Sequence, residues 1–193
     1  PIQANGKAGG SRHPAFTYDH STKRIRTKTW VSMEWGTKNM VKDWMRLHEY
    51  HVWANRKLLR HLKTVPHAFT APVSGPFPTI ARTFGHIYDV DVNWFSRMKG
   101  GSPASFGETS FAHPDEAIDT LDRLHREVRE FLAGQDGSHI VRYRNTKGEE
   151  FENTLSEMLL HMVNHGTYHR GNVTAMLYQH GCKSCSTDLI FFL

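Results

Sequence analysis

The chain has 193 residues, of which 38% are hydrophobic and 22% charged, enough to bury a sizeable core without disulfide staples. No run of about 18 apolar residues occurs, which excludes a membrane-spanning helix, and only two cysteines, Cys182 and Cys185, exclude a disulfide framework. The net charge of +5 sits in residues 1–39, where seven Lys and Arg face two acidic residues; the remainder carries 17 of each sign. The basic pI is therefore weak support for nucleic-acid binding by the folded part.

Residues 1–39 are Gly-, Ser-, Thr- and Lys/Arg-rich and show no sustained apolar period, so they are expected to be a basic, disordered extension. The opening is polar, with no secretory pattern, and the cysteine usage suits a reducing, cytoplasmic compartment. From Val41 the helical period is clear. Val41, Met45, His48, Val52, Asn55, Leu59 and Leu62 step by three and four, predicting a first helix over about 41–64. Pro66 and the run Pro72 to Pro76 break it. A second helix is predicted from about Thr79 to Lys99, with Ile80, Phe84, Ile87, Asp91, Trp94 and Met98 as its inward stripe and Gly100-Gly101 as its stop.

Pro114, followed by Asp115 and Glu116, suits a helix start. Ala117, Leu121, Leu124, Val128 and Phe131 form the third stripe, closed by Gly134. Ile140 to Arg144 and Glu150 to Glu152 flank Asn145-Thr146-Lys147-Gly148 and read as a short hairpin. Thr154 and Glu157 have capping-box spacing for a fourth helix that runs to about His180, with Gly181 as its stop. The predicted fold is an all-α four-helix bundle over residues 40–193, with a β-hairpin between the third and fourth helices.

The chemistry concentrates on the fourth helix. His165 and His169 are one turn apart, about 6 Å along the axis and about 40° around it. They lie in an inward stripe with Met158, Met162, Val173, Met176 and His180, where a plain bundle carries Leu or Ile. Buried imidazoles need partners, which a metal ion or hydrogen bonds can supply, and the spacing alone leaves both readings open. His161 extends the series but is offset towards the flank. Gly166 and Gly171 are unusual inside a helix and suggest close approach by another element or a ligand.

His86 on the second helix is the best third ligand, with His48 and His51 weaker candidates. Asp91 is an unexpected carboxylate on an apolar stripe, suited to orienting an imidazole. Three imidazoles accept zinc or nickel first, also iron or copper, and manganese less readily. Cys182-Lys183-Ser184-Cys185 has redox-motif spacing, but no strand–helix context or second pair supports that use.

Tyr50-His51-Val52-Trp53-Ala54-Asn55 with Leu58-Leu59, the run Gly85-His86-Ile87 to Asp91, Trp94 and Phe95, the stretch His161 to Gly171, and the ending Thr187-Asp188-Leu189-Ile190 together resemble the DinB family. The resemblance covers about residues 41–193. It implies a DinB-like four-helix bundle, often a homodimer, that holds a divalent metal on three histidines corresponding to His86, His165 and His169. Wider relatives include thiol-dependent S-transferases and isomerases. Asn172 departs from the family pattern, where Gln is expected.

Two classes of function follow as expectations. One is a metal-dependent hydrolase or thiol S-transferase acting on a small electrophilic substrate, with Asp91, Tyr168 and Arg170 as candidate proton-handling or anion-binding groups and a low-molecular-weight thiol as possible cosubstrate. The other is a non-catalytic, metal-stabilised binding or stress-response module. Neither involves a membrane, nor nucleic acid at the bundle; a third expectation is nucleic-acid binding through residues 1–39.

Overall fold

Residues 37–101, 107–145 and 147–193 are described by the computed structural model, with side chains from Trp44 onward in the first helix. The extension read over residues 1–39 therefore lies, up to residue 36, outside the described residues. Residues 37–39 already belong to the first helix.

That helix, α1, spans Thr37–Leu62. A four-residue turn of helix, α2 (His67–Thr70), follows in the stretch that Pro66 was expected to leave irregular, and it buries Ala68 and Phe69. Helix α3 spans Ile80–Met98, and Thr79 caps it by accepting from the Arg82 amide. Helix α4 spans Pro114–Ala133, with proline at its start and Asp115 and Glu116 in its first turn.

The hairpin pairs β1 (Ile140–Arg144) with β2 (Glu150–Thr154), antiparallel, in the register Ile140 to Thr154 through Arg144 to Glu150. Gly148 takes φ +80 in its turn. Helix α5 (Leu155–Gln179) starts on a full capping box between Thr154 and Glu157 and ends before Gly181, at φ +70. A short 3-10 turn, Leu189–Phe191, comes near the C-terminus.

Helices α1, α3, α4 and α5 are the four members of the bundle. Helix α1 packs on α4 and α5, and α3 packs on α5 and α4, so the α1–α4 face lies opposite the α3–α5 face. No helix among the described residues is long and apolar enough to cross a membrane.

The core is divided by height. One apolar cluster gathers Leu58, Leu59, Leu62, Phe84, Ile87, Leu121 and Val173. The other gathers Trp44, Ala54, Phe95, Val128, Leu155, Met158 and Met162. Between them every bundle helix contributes buried polar groups: His51 and Asn55 from α1, Asp91 from α3, His125 from α4 and Arg170 from α5. The buried face of α1 is accordingly wider than the predicted stripe, since Trp44, Tyr50, His51, Ala54 and Leu58 are also buried while Met45 and Val52 are only half-buried.

Candidate metal centre

Helices α3 and α5 bring three imidazoles together. His86 comes from the second turn of α3, and His165 and His169 stand one turn apart on α5. Their ligand-competent atoms all lie within 4.8 Å of one another, and the Nε2 atoms of His165 and His86 are 3.2 Å apart. Ring centroids are separated by 4.3 Å for His165–His169, 4.7 Å for His86–His169 and 5.0 Å for His86–His165.

Phe77, from the connection before α3, packs on both His86 and His169, at 4.9 and 5.4 Å, and forms an apolar wall. Burial, reinforced by the neighbouring imidazoles, pushes the pKa of His165 down to about 3 and that of His169 to about 4; burial and Arg82 lower that of His86. All three rings are thus held neutral near pH 7, the state in which a ring nitrogen donates a lone pair to a metal. This donor set fits a divalent ion.

The side chain of Asn172 reaches His169 Nδ1 at 3.4 Å. With its amide oxygen turned there it accepts the Nδ1 proton, leaving Nε2 free as the ligand atom. Asn at this position thus retains a polar contact with the triad. His165 Nδ1 is buried and has no hydrogen-bond partner among the described residues. His161 is exposed, as its offset predicts, and packs on Trp94 at 4.5 Å.

The other sequence candidates are placed differently from one another. Tyr168 is 66% exposed, and its ring edge meets His169 at 5.0 Å. Asp91 is fully buried and belongs to the central polar layer. Its Oδ2 accepts from His51 Nε2 at 2.9 Å and His125 Nε2 at 3.2 Å, while its Oδ1 has no partner. Burial opposes ionisation of Asp91, but the two imidazoles outweigh it and hold the carboxyl below its usual range.

Arg170 is 1% exposed and faces α1. It donates to Asn55 Oδ1 at 2.9 Å, Thr167 Oγ1 at 2.8 Å and His51 Nδ1 at 3.4 Å. With Nδ1 facing the Arg170 donor, the His51 proton is assigned to Nε2, which donates to Asp91 at 2.9 Å while Asn55 Nδ2 lies 3.1 Å from the same nitrogen, so the buried carboxylate and guanidinium are joined through a neutral imidazole. Arg170 is consumed by this layer and is not presented to the triad's open side, where an anionic substrate group was expected to meet it.

Gly166 explains itself here. An added Cβ would collide with His51 Cε1 and come within 2.9 Å of Arg170 Nη1. Gly171 has no such neighbour: a Cβ there meets nothing within 4 Å.

The residue missed in the sequence is His125. It follows the stripe residue Leu124 and stands four after Leu121, a spacing that puts it on the apolar face of α4. His51, Asp91 and His125 also approach closely enough to hold an ion, but their mutual hydrogen bonds already satisfy the three donor atoms involved. Cys182 and Cys185 are free thiols with different neighbours, His67 Nε2 and the Lys57 carbonyl.

Comparison with known proteins bears on this geometry. The DinB family profile matches residues 37–193. Protein DinB of Bacillus subtilis (strain 168) is 32% identical over 158 residues, covering 77% of this chain and 92% of that protein. Two solved structures share the fold at 17% identity. A DinB-like protein from Bacillus cereus ATCC 10987 aligns with a TM-score of 0.57, over 77% of this chain and 95% of its own. YfiT from Bacillus subtilis, described as a probable metal-dependent hydrolase with an unusual four-helix bundle topology, aligns with a TM-score of 0.59, over 84% of this chain and 95% of its own.

Proposed function

The chain belongs to the DinB family, and from that premise we propose that it holds a divalent metal ion on His86, His165 and His169 and is a metal-dependent hydrolase or thiol-dependent S-transferase for a small electrophilic substrate. The observation that carries this reading is the convergence of three neutral imidazoles from two helices, all ligand atoms within 4.8 Å. Each lone pair left unmatched costs about 1–3 kcal/mol, and one bound ion would match all three at once. The description of YfiT as a probable metal-dependent hydrolase supports the same direction. Zinc or nickel suits the all-imidazole donor set best.

When bound, the ion supplies a Lewis acid that lowers the pKa of water or of a low-molecular-weight thiol. The chain's own residues do the rest. Phe77 shields one side of the triad and excludes water there. Tyr168, exposed against His169, stands where a substrate arrives, with a hydroxyl able to take or give a proton. Asp91 and Arg170 act as positioning residues: through His51 they fix the register of α5, and so of its two imidazoles, against α1 and α3.

The test is the metal content of untagged protein purified without chelator, compared with a His165→Ala/His169→Ala variant. About one ion per chain, absent from a variant that keeps its helical circular dichroism, is expected. A wild-type chain that carries no ion and takes none up on reconstitution overturns the metal site. If metal removal lowers stability while water- and thiol-dependent turnover is never found across electrophile panels, the non-catalytic module replaces the enzyme.

A further inference from the structure

On the α1–α4 face, opposite the imidazole triad, the two helices line an open cavity of about 450 Å³. Its charge is lopsided. Arg56, Lys57 and Arg60 line it from α1, and Arg126 and Arg129 from α4. Only two carboxylates share the walls, Glu49 and Asp122, and Asp122 is taken up by Arg56 Nε at 2.6 Å. Lys57 Nζ lies over the Trp53 ring, 4.6 Å from its centroid. Arg60, Arg126 and Arg129 have no ion pair with a carboxylate among the described residues.

Such an arrangement is unfavourable unless something answers it. Arg126 and Arg129 are one turn apart on α4, and like charges at that spacing repel, while on α1 Arg56 is answered by Asp122 and Arg60 is not. The walls also include Val52 and Trp53, an apolar section, and His48, whose two ring nitrogens are buried without a hydrogen-bond partner among the described residues. His125 belongs to the same wall and donates to Asp91, so the cavity borders the polar layer on which the triad's helices are fixed.

We propose that this cavity is a second binding site, separate from the metal centre, for a small phosphate monoester with an apolar body. The unpaired guanidinium groups match the oxygens of a dianionic phosphate, which arginine engages bidentately. Val52 and Trp53 supply the surface for the ligand's body. The concavity and its size suit a small molecule. The proposal does not depend on the triad holding metal.

Calorimetric titration of the full chain with phenyl phosphate at fixed ionic strength tests it. Saturable binding at one ligand per chain is expected, with none for phenol, which has the same body without the phosphate. The exposed pair Arg60→Gln/Arg129→Gln should weaken binding at least tenfold. Arg123→Gln, on α4 but outside the cavity, and His165→Ala/His169→Ala should leave it within twofold. Failure to saturate overturns the proposal. So does loss of binding in the histidine variant, which would place the phosphate at the triad, or undiminished binding in the arginine pair. Adsorption to phosphatidic acid vesicles without phenyl phosphate binding would mean a lipid surface instead. A dimer that the arginine pair dissociates would make this face an interface between copies.

Discussion

Two glycines on one helix should respond to the same substitution with opposite signs. Gly166→Ala and Gly171→Ala both remove an interior helical glycine of α5, which alone stabilises by about 1 kcal/mol. At Gly171 nothing lies within 4 Å of the added Cβ, so that gain stands. At Gly166 the Cβ collides with His51 Cε1 and sits 2.9 Å from Arg170 Nη1. Neither neighbour is a free end: His51 is tied to Asp91 at 2.9 Å, and Arg170 to Asn55 at 2.9 Å and Thr167 at 2.8 Å. Moving His51 leaves a buried carboxylate short of a donor, a loss of about 3 kcal/mol. The net for Gly166→Ala is then about 2 kcal/mol of destabilisation, and the two variants differ by about 3 kcal/mol. In a chain of this size that separates their melting midpoints by about 9 °C. Thermal and urea denaturation in chelator, on both variants and the parent, reads the difference. A second cycle isolates the cause: in a His51→Ala background, where the ring is gone, Gly166→Ala should lose most of its penalty. Equal stabilisation by both alanines would refute the close packing of α5 on His51.

Asp91→Asn removes the charge that two imidazoles and Arg170 are arranged around, and should lower the unfolding free energy by about 3 kcal/mol in urea melts; a loss below about 1 kcal/mol would mean the layer tolerates a neutral acceptor. Stability should fall with acid in the metal-free chain. His48 is pushed by burial to about 3 in the folded state, whereas the unfolded chain protonates it as pH drops through about 6.5. Its contribution is therefore full above about pH 6.5 and declines as pH falls towards 3, reaching a loss of about 2 kcal/mol at pH 5. Comparison of urea midpoints at pH 7.5 and 5.0 should show that much less pH dependence in His48→Leu than in the parent. Finally, Thr154→Ala breaks the capping box of α5 and should lower stability by about 1 kcal/mol, which a change within error in the same assay would contradict.

The helices, the hairpin and the α5 cap were legible because each follows from local rules: apolar residues at a period near 3.6, a proline at a start, a glycine at a stop, Thr154 three residues before Glu157. The pairing of His165 with His169 was legible for the same reason, since i and i+4 share a face whatever the helix packs against. What local rules do not carry is which helix meets which. His125 shows this. Its spacing from Leu121 marks it only as a polar residue on the apolar face of α4, and its meaning comes from Asp91, on α3, across the core. The four-residue helix α2 was also hidden, because Pro66 reads as a breaker although proline is well placed just ahead of a helical turn.

Asp91 and His86 leave the same helix for different centres. In sequence it sits five residues after His86, and a carboxylate so close to a candidate ligand suggests that it orients that ligand. Five residues turn a helix by about 140°, however, so the two side chains leave α3 in different directions. His86 joins α5 at the triad, and Asp91 enters the layer shared by His51 and His125. One helix thus serves two polar centres on two of its faces. The separation has a measurable consequence. On the proposed site, His86→Ala should abolish metal uptake at modest cost to the fold, because His86 is half-buried and its hydrogen-bond partner is the half-buried His165. Asp91→Asn should do the reverse, lowering stability while the folded fraction still takes up metal. Equal effects of both substitutions on both readouts would mean that the layer and the triad form one site.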